Sequence, residues 1–367
     1  MKKLLIVLIL SLIIGCKSSE MKKQNPTEFY IGTYTDGESK GIYKTSIDDK
    51  GFLSKIELVA ETKNPSFLTK SKDNKALFAV AETAEKGKGF VKSYKIEKNH
   101  LKQISISESG GAGPCFVAIN DENYILTANY GGGNVGLLQA DASGKLSELL
   151  NVQQHTGKGT TNRQRKPHAH SAWFHPTKKE IIAVDLGTNE LWFSTIDKKE
   201  NKLVLANPSK LNMAEGAGPR HLTFHPNYKW IYVLNELNNT VSLVKEKNDF
   251  YEIDASISMI PENFTAFSKA ADIHISKDGK FVYASNRGHN SIVIYKVNPE
   301  NGKLSLVGYE SVKGESPRNF SLTPDDKFLL VVNQDTNNII SFKRNSETGK
   351  LTFVSEISAP KPVCILF

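Results

Sequence analysis

The stretch GPRHLTFHPNYKWIYVLNE, from Gly218 to Glu236, reads as loop, strand, tight turn and strand, and the pattern returns along the whole chain. NPSFLTKSKDNKALFAVAE begins at Asn64, GPCFVAINDENYILTANY at Gly113 and PHAHSAWFHPTKKEIIAVDL at Pro167. ADIHISKDGKFVYASNR begins at Ala271, SPRNFSLTPDDKFLLVVNQ at Ser316, and PVCILF closes the chain from Pro362. Openings recurring every 45 residues or so, up to roughly 53, have the period of propeller blades rather than of helical repeats.

Each internal unit holds four strand-like runs, for example SFLTKS, ALFAVAE, FVKSYKIE and LKQISISES. The first unit has only three, FYIGTYT, GIYKTSID and LSKIELVAE, and PVCILF is left over at the end. The simplest account is an all-β, seven-bladed β-propeller whose first blade is completed by the C-terminal strand, which leaves no open sheet edge at the seam. The stretch 256–270 is a longer connection with room for a helical turn. At 367 residues the chain could form two domains, but a single repeat array accounts for all of it.

The formal charge is +8, or +6 without Lys2 and Lys3, and the lysines are scattered. With no dense basic block and no interleaved aromatic-basic motif, no nucleic-acid partner is expected. Three cysteines make neither a disulfide framework nor a zinc site, and Cys115 and Cys364 fall in first strands of non-adjacent blades, as buried thiols. No metal or other cofactor is implied, and nothing specifies an oligomeric state.

The N-terminus reads as an address. Lys2 and Lys3 precede an apolar run, Leu4 to Ile14, of secretory-signal length, and it ends in Ile-Ile-Gly-Cys with Cys16 where a bacterial lipobox places its acylated residue. The expected organisation is a lipoprotein signal peptide over 1–15, a polar tether over 16–28 and the propeller over 29–367. The protein would then sit in the bacterial cell envelope outside the cytoplasm, held to a membrane by an N-terminal lipid anchor.

In a four-stranded blade the innermost strand leaves one face and the second strand returns to it. Starts of first strands and ends of second strands therefore meet at one mouth of the central channel. Aligned on their prolines, the starts present Cys115, His168, Arg220, Asp272 and Arg318, with His170, His221, His274 and Asn319 close behind. The ends present Glu82, Asn129 and Tyr130, Asp185, Asn235 and Glu236, Asn286 and Arg287, and Asn333 and Gln334. Turns call for Asn, Asp or Gly, not for converging Arg, His and Glu. Asn129, Tyr130, His221, Asp272, His274, Arg318 and Asn319 are the expected substrate contacts. The repeated Asn also suits a blade staple, and His170 and His274 serve equally as hydrogen-bonded links between blades. Arginines in excess of nearby acids favour an anionic ligand.

The motifs YIGTYT, PHAHS, GPRHLTFHPN, VLNE, DIHISKDGKFVYASNRG and SPRNF resemble the seven-bladed lactonase family, which includes cycloisomerase-type 6-phosphogluconolactonases and the fungal carboxy-muconate lactonizing enzyme. The resemblance runs over the whole chain after the tether. It implies catalytic roles for His168 or His170, Arg220, Glu236 and Arg287, and hydrolysis of a sugar lactone to its aldonic acid. A His or Glu236 would activate water and an arginine would stabilise the tetrahedral oxyanion. Neither a GxSxG elbow nor a Ser or Cys paired with a base is present, so no covalent intermediate is expected. The lipobox sits poorly with a phosphorylated lactone made in the cytoplasm. The other reading is a non-catalytic surface propeller that binds a sugar acid or a protein partner.

Overall fold

The computed structural model describes residues 25–367 apart from Asp249. The expected signal peptide, and Cys16 with it, lie outside the described residues. The described residues form seven four-stranded antiparallel sheets. In six of them the strands follow chain order from the channel outward. In the remaining one the C-terminal strand, Pro362–Leu366, pairs with Thr27–Thr33, so that the last residues become the innermost strand of blade one. Pairing begins at Thr27, two residues inside the expected tether, because Thr27 and Glu28 already face Ile47 and Ser46.

The core lies between the blades, where the faces of neighbouring sheets pack together. Phe29, Ile31, Leu330, Val332 and Ile365 are buried in one cluster that joins blade seven to blade one, so the ring is closed by packing as well as by strand exchange. Tyrosine hydroxyls tie successive blades: Tyr232 donates to the carbonyl of Gly302 at 2.8 Å, and Tyr283 to that of Gly349 at 2.9 Å. Both glycines have positive φ, and a Cβ at either would fall within 3 Å of the preceding blade's Trp230 or Phe281 ring, so these hairpins need glycine.

Cys115 and Cys364 are free and buried, as expected, and burial pushes each thiol up to about 12. The stretch 256–270 carries no helical turn. Ser256 to Ser258 end an outer strand, Lys269 and Ala270 begin an inner one, and the residues between are turns and bends.

Candidate active site

Two rings of side chains build the mouth. The first arises from a β-bulge at the start of the inner strand, where the register with the second strand slips by one residue in six blades. Such a bulge leaves one residue unpaired and re-aims it. In blades three, four, five and seven that residue is Cys115, His170, Arg220 or Arg318, and in blade one it is Val363. In blade six Ala271 and Asp272 lie within the irregularity.

The second ring is the residue just past the end of each second strand. Its amide donates to a carbonyl at the entry of the inner strand, as Glu236 does to Gly218 at 2.7 Å, Tyr130 to Gly113 at 2.9 Å, Glu82 to Asn64 at 3.0 Å and Tyr34 to Lys361 at 3.1 Å. Arg287 holds the corresponding place opposite Lys269. These bonds fix the backbone, so the side chains project from a rigid rim rather than from loose loops.

Glu236 is the electrostatic centre. Its Oε2 stands 3.1 Å from Nε of Arg220 and 3.0 Å from Nη2 of Arg287, all three side chains being buried, and its Oε1 lies 3.5 Å from Nη2 of Arg163. Burial alone would raise the carboxyl, but Arg287, Arg220 and Arg163 hold it down to about 2. Arg220 Nη1 also donates to the carbonyl of Ala271, and Arg287 Nη2 to that of Ala270 at 2.7 Å, which pins both guanidiniums against blade six. Across the mouth Arg318 donates to the Tyr34 hydroxyl at 2.8 Å, and Tyr34 in turn donates to Glu82 at 2.9 Å. Ser66 also bonds Glu82. Four guanidiniums thus gather around two carboxylates, and the surplus positive charge suits an anion or a developing oxyanion.

The two histidines of PHAH have different surroundings. His170 is buried, with Nδ1 3.7 Å from Cys115 Sγ, and burial together with Arg220, His221 and Arg318 pushes its pKa well below the ordinary value, so it stays neutral. His168 is half-buried on the rim and stacks on the Tyr130 ring, with centroids 4.4 Å apart. Its Nδ1 is 2.8 Å from the Tyr130 carbonyl. A carbonyl only accepts, so Nδ1 carries the proton and Nε2 of the neutral ring holds a lone pair with no protein partner among the described residues. The backbone at His168 is fixed by Asp185, whose Oδ1 accepts the amides of His168, Gly187 and Thr188 while Oδ2 takes Nδ1 of the buried His155 at 2.7 Å.

Several expected contacts fall beneath the mouth. Asp272 accepts His221 Nδ1 at 2.8 Å, His274 Nε2 at 3.0 Å and Asn319 Nδ2 at 2.5 Å, and the amide of Ile365 donates to Asn319 at 2.7 Å. This network ties blades five, six, seven and one across the channel. Burial would raise Asp272, but His274 and His221 hold it far below the carboxylate range, whereas burial and Arg220 press His221 down to about 4 against Asp272. His274 lies further along its strand, beyond Asp272 from the mouth. Asn129 is fully buried and its Nδ2 donates to Ser109 O and Asn134 Oδ1, which makes it a staple within the blade; its Oδ1 has no partner but is itself buried away from the mouth's surface. Alignment on proline also misplaces two residues. Ala169, not Pro167, pairs with the end of its second strand as Pro219 does, so His170 rather than His168 is the counterpart of Arg220. In blade six Asp272 follows that position by one.

Two site residues, Arg163 and Tyr34, were not among the expected set, and Glu82, placed at the mouth by its second-strand end, was given no role there. Tyr34 sits in YIGTYT and Glu82 at a second-strand end, so their signal lay in the same repeat. Arg163 belongs to the connection 155–168, in a short 3-10 helix, Asn162–Gln164, and its only sequence signal was a basic loop, NRQRK, just before PHAH.

A seven-bladed ring whose mouth joins an oriented imidazole to a ring of arginines defines a class of propeller enzyme that acts on anionic or oxyanion-forming substrates. The sequence matches the family described as "Lactonase, 7-bladed beta-propeller" over residues 28–367, and the chain belongs to that family. It is 40% identical over 346 residues to the 6-phosphogluconolactonase of Bacillus subtilis (strain 168), covering 92% of this chain and 97% of that one. The 6-phosphogluconolactonase of Formosa agariphila is 34% identical over 305 residues, covering 80% of this chain and 85% of the relative. Among solved structures, the periplasmic gluconolactonase of Pseudomonas aeruginosa superposes with a TM-score of 0.89 at 29% identity, covering 93% of this chain and 98% of the other.

Proposed function

We propose that the protein hydrolyses a sugar lactone to its aldonic acid at this mouth, with His168 as the general base. The observation that carries the reading is the fixed tautomer of His168: with Nδ1–H given to the Tyr130 carbonyl, Nε2 is available to accept a proton from water. Water attacks the lactone carbonyl as His168 takes its proton. The carbonyl π electrons move onto oxygen, and Arg220 and Arg287 stabilise that oxyanion. The C–O bond to the ring oxygen then breaks, and protonated His168 returns the proton to the leaving oxygen. The product acid ionises at neutral pH. Glu236 serves by holding the arginines in place, since a carboxyl held at about 2 between guanidiniums is a poor base near neutrality. The relatives named for lactone hydrolysis support this chemistry.

The protein is further proposed to reside outside the cytoplasm, anchored through an acylated Cys16. The sequence Ile-Ile-Gly-Cys after an apolar run supports this, as does the periplasmic location in the name of the Pseudomonas relative. Fatty-acid labelling of the wild type and of Cys16→Ser tests it: label on the wild type alone is expected, and an unlabelled wild type refutes the anchor. The activity is tested by base uptake in a pH-stat with purified protein and sugar lactones, corrected for spontaneous hydrolysis. Uptake at the spontaneous rate with every lactone would refute it.

A further inference from the structure

We infer that Arg163 is a specificity residue that grips an anionic substituent of the lactone, a phosphate ester or a carboxylate, and so makes the enzyme prefer charged lactones to neutral ones. This rests on the lactonase reading of the same mouth.

The four arginines differ in what they have free. Arg220 and Arg287 are buried, donate to the carbonyls of Ala271 and Ala270, and contact Glu236. Arg318 donates to Tyr34 and lies beside the narrow channel with Ser66, Cys115 and Asn319. Arg163 alone among them stands on the rim, its side chain 49% exposed. Its Nη2 holds the Tyr130 hydroxyl at 2.8 Å and touches Glu236 only at 3.5 Å, while Nη1 and Nε make no hydrogen bond to the described residues. Nη2 is thus anchored, while the hydrogens of Nη1 and Nε remain free to donate to oxygens of a carboxylate or phosphate on the rim.

The segment that carries Arg163 is fixed, not loose. Gln164, next in sequence, is fully buried and donates Nε2 to the carbonyl of Leu186 at 2.9 Å and to Asn189 Oδ1 at 3.0 Å. The Thr161 amide donates to Gln164 Oε1 at 3.3 Å, the Gln164 amide to the carbonyl of Thr161 at 3.0 Å, and the amide of Gly159 to the carbonyl of Gly187 at 2.9 Å. A guanidinium held this way loses little freedom on meeting a ligand. Tyr130 connects the two ends of the site: its ring carries His168 and its hydroxyl carries Arg163. The charged substituent is therefore seated on the same rim as the proposed base, away from the buried pair that receives the oxyanion.

The test compares wild type with Arg163→Gln on three lactones: 6-phosphoglucono-δ-lactone, glucaro-1,4-lactone with its free carboxylate, and neutral glucono-δ-lactone. The ratio of kcat/KM for the preferred charged lactone to that for the neutral one should fall by about 10- to 100-fold, the usual worth of a hydrogen bond to a charged group. The fall should appear in KM. Which charged lactone loses more identifies the substituent as phosphate or carboxylate. An unchanged ratio, or a wild type that prefers the neutral lactone, overturns the inference. If wild type turns over no lactone, the lactonase reading fails, and calorimetry with 6-phosphogluconate, glucarate and gluconate still decides this one. Tighter binding of a charged acid by wild type, lost at least tenfold in Arg163→Gln, supports it; equal affinities across the acids or between the proteins refute it.

Discussion

Nη2 of Arg287 lies 3.0 Å from Oε2 of Glu236 across the seam between blades five and six, and both side chains are buried. The same oxygen lies 3.1 Å from Nε of Arg220. One carboxylate therefore bridges two buried guanidiniums and offsets only part of their charge. Removing one partner of a buried pair strands the other charge, at a cost of about 3 to 5 kcal/mol.

Glu236→Gln should accordingly lower stability by about that amount, read as a shift in the midpoint of urea unfolding, and should reduce turnover by loosening Arg220 and Arg287. A variant as stable as wild type would show that the arginines are compensated elsewhere.

Much of this arrangement is legible in the sequence, and the gaps have physical causes. The blade period, the spare C-terminal strand and the convergence of Arg220, Glu236 and Arg287 follow from counting strands, because strand ends fix which face a residue reaches. Counting from proline fails where another residue pairs with the end of the second strand: Ala169 does so two residues after Pro167, and Ala270 does so in blade six, which has no proline there, hence the displaced alignment of His168 and Asp272. Asn129 and Asp272 share a mouth address with the reactive residues but differ in burial and bonding, which residue type alone does not reveal. Arg163 comes from a connection outside the repeat, so no other blade offers a template for it.

Ring closure can be tested by truncation. Removing Pro362 to Phe367 deletes the inner strand of blade one, exposes Phe29, Ile31 and Val332, and takes away the Ile365 amide that satisfies Asn319. The truncated protein should lose its cooperative melting transition or aggregate, as followed by calorimetry and light scattering. A monomer that melts like wild type would contradict the strand-exchanged closure.

Acid should destabilise the protein in two stages. Burial and Arg220 hold His221 down at about 4, and burial with Arg220 and His221 lowers His170 well below its ordinary 6.5. Between pH 6.5 and about 4 the unfolded chain therefore binds protons that the folded chain refuses, and stability falls as pH falls. Glu236, held at about 2 against an ordinary 4.5, adds a further loss between those values. Urea midpoints should decline steadily from pH 7 to pH 4.5. A constant or rising midpoint over that range would mean that the buried histidines are not held neutral.

The central claim is that His168, oriented by the Tyr130 carbonyl, is the base at the mouth. The most direct measurement is kcat against pH for lactone hydrolysis by wild type, His168→Gln and His170→Gln, corrected for the spontaneous rate. The account predicts that His168→Gln lowers kcat by about 10² to 10⁴, with little change in KM and loss of the acid limb of the profile. His170→Gln should retain that limb. A His168→Gln enzyme with the turnover and pH profile of wild type would contradict the assignment.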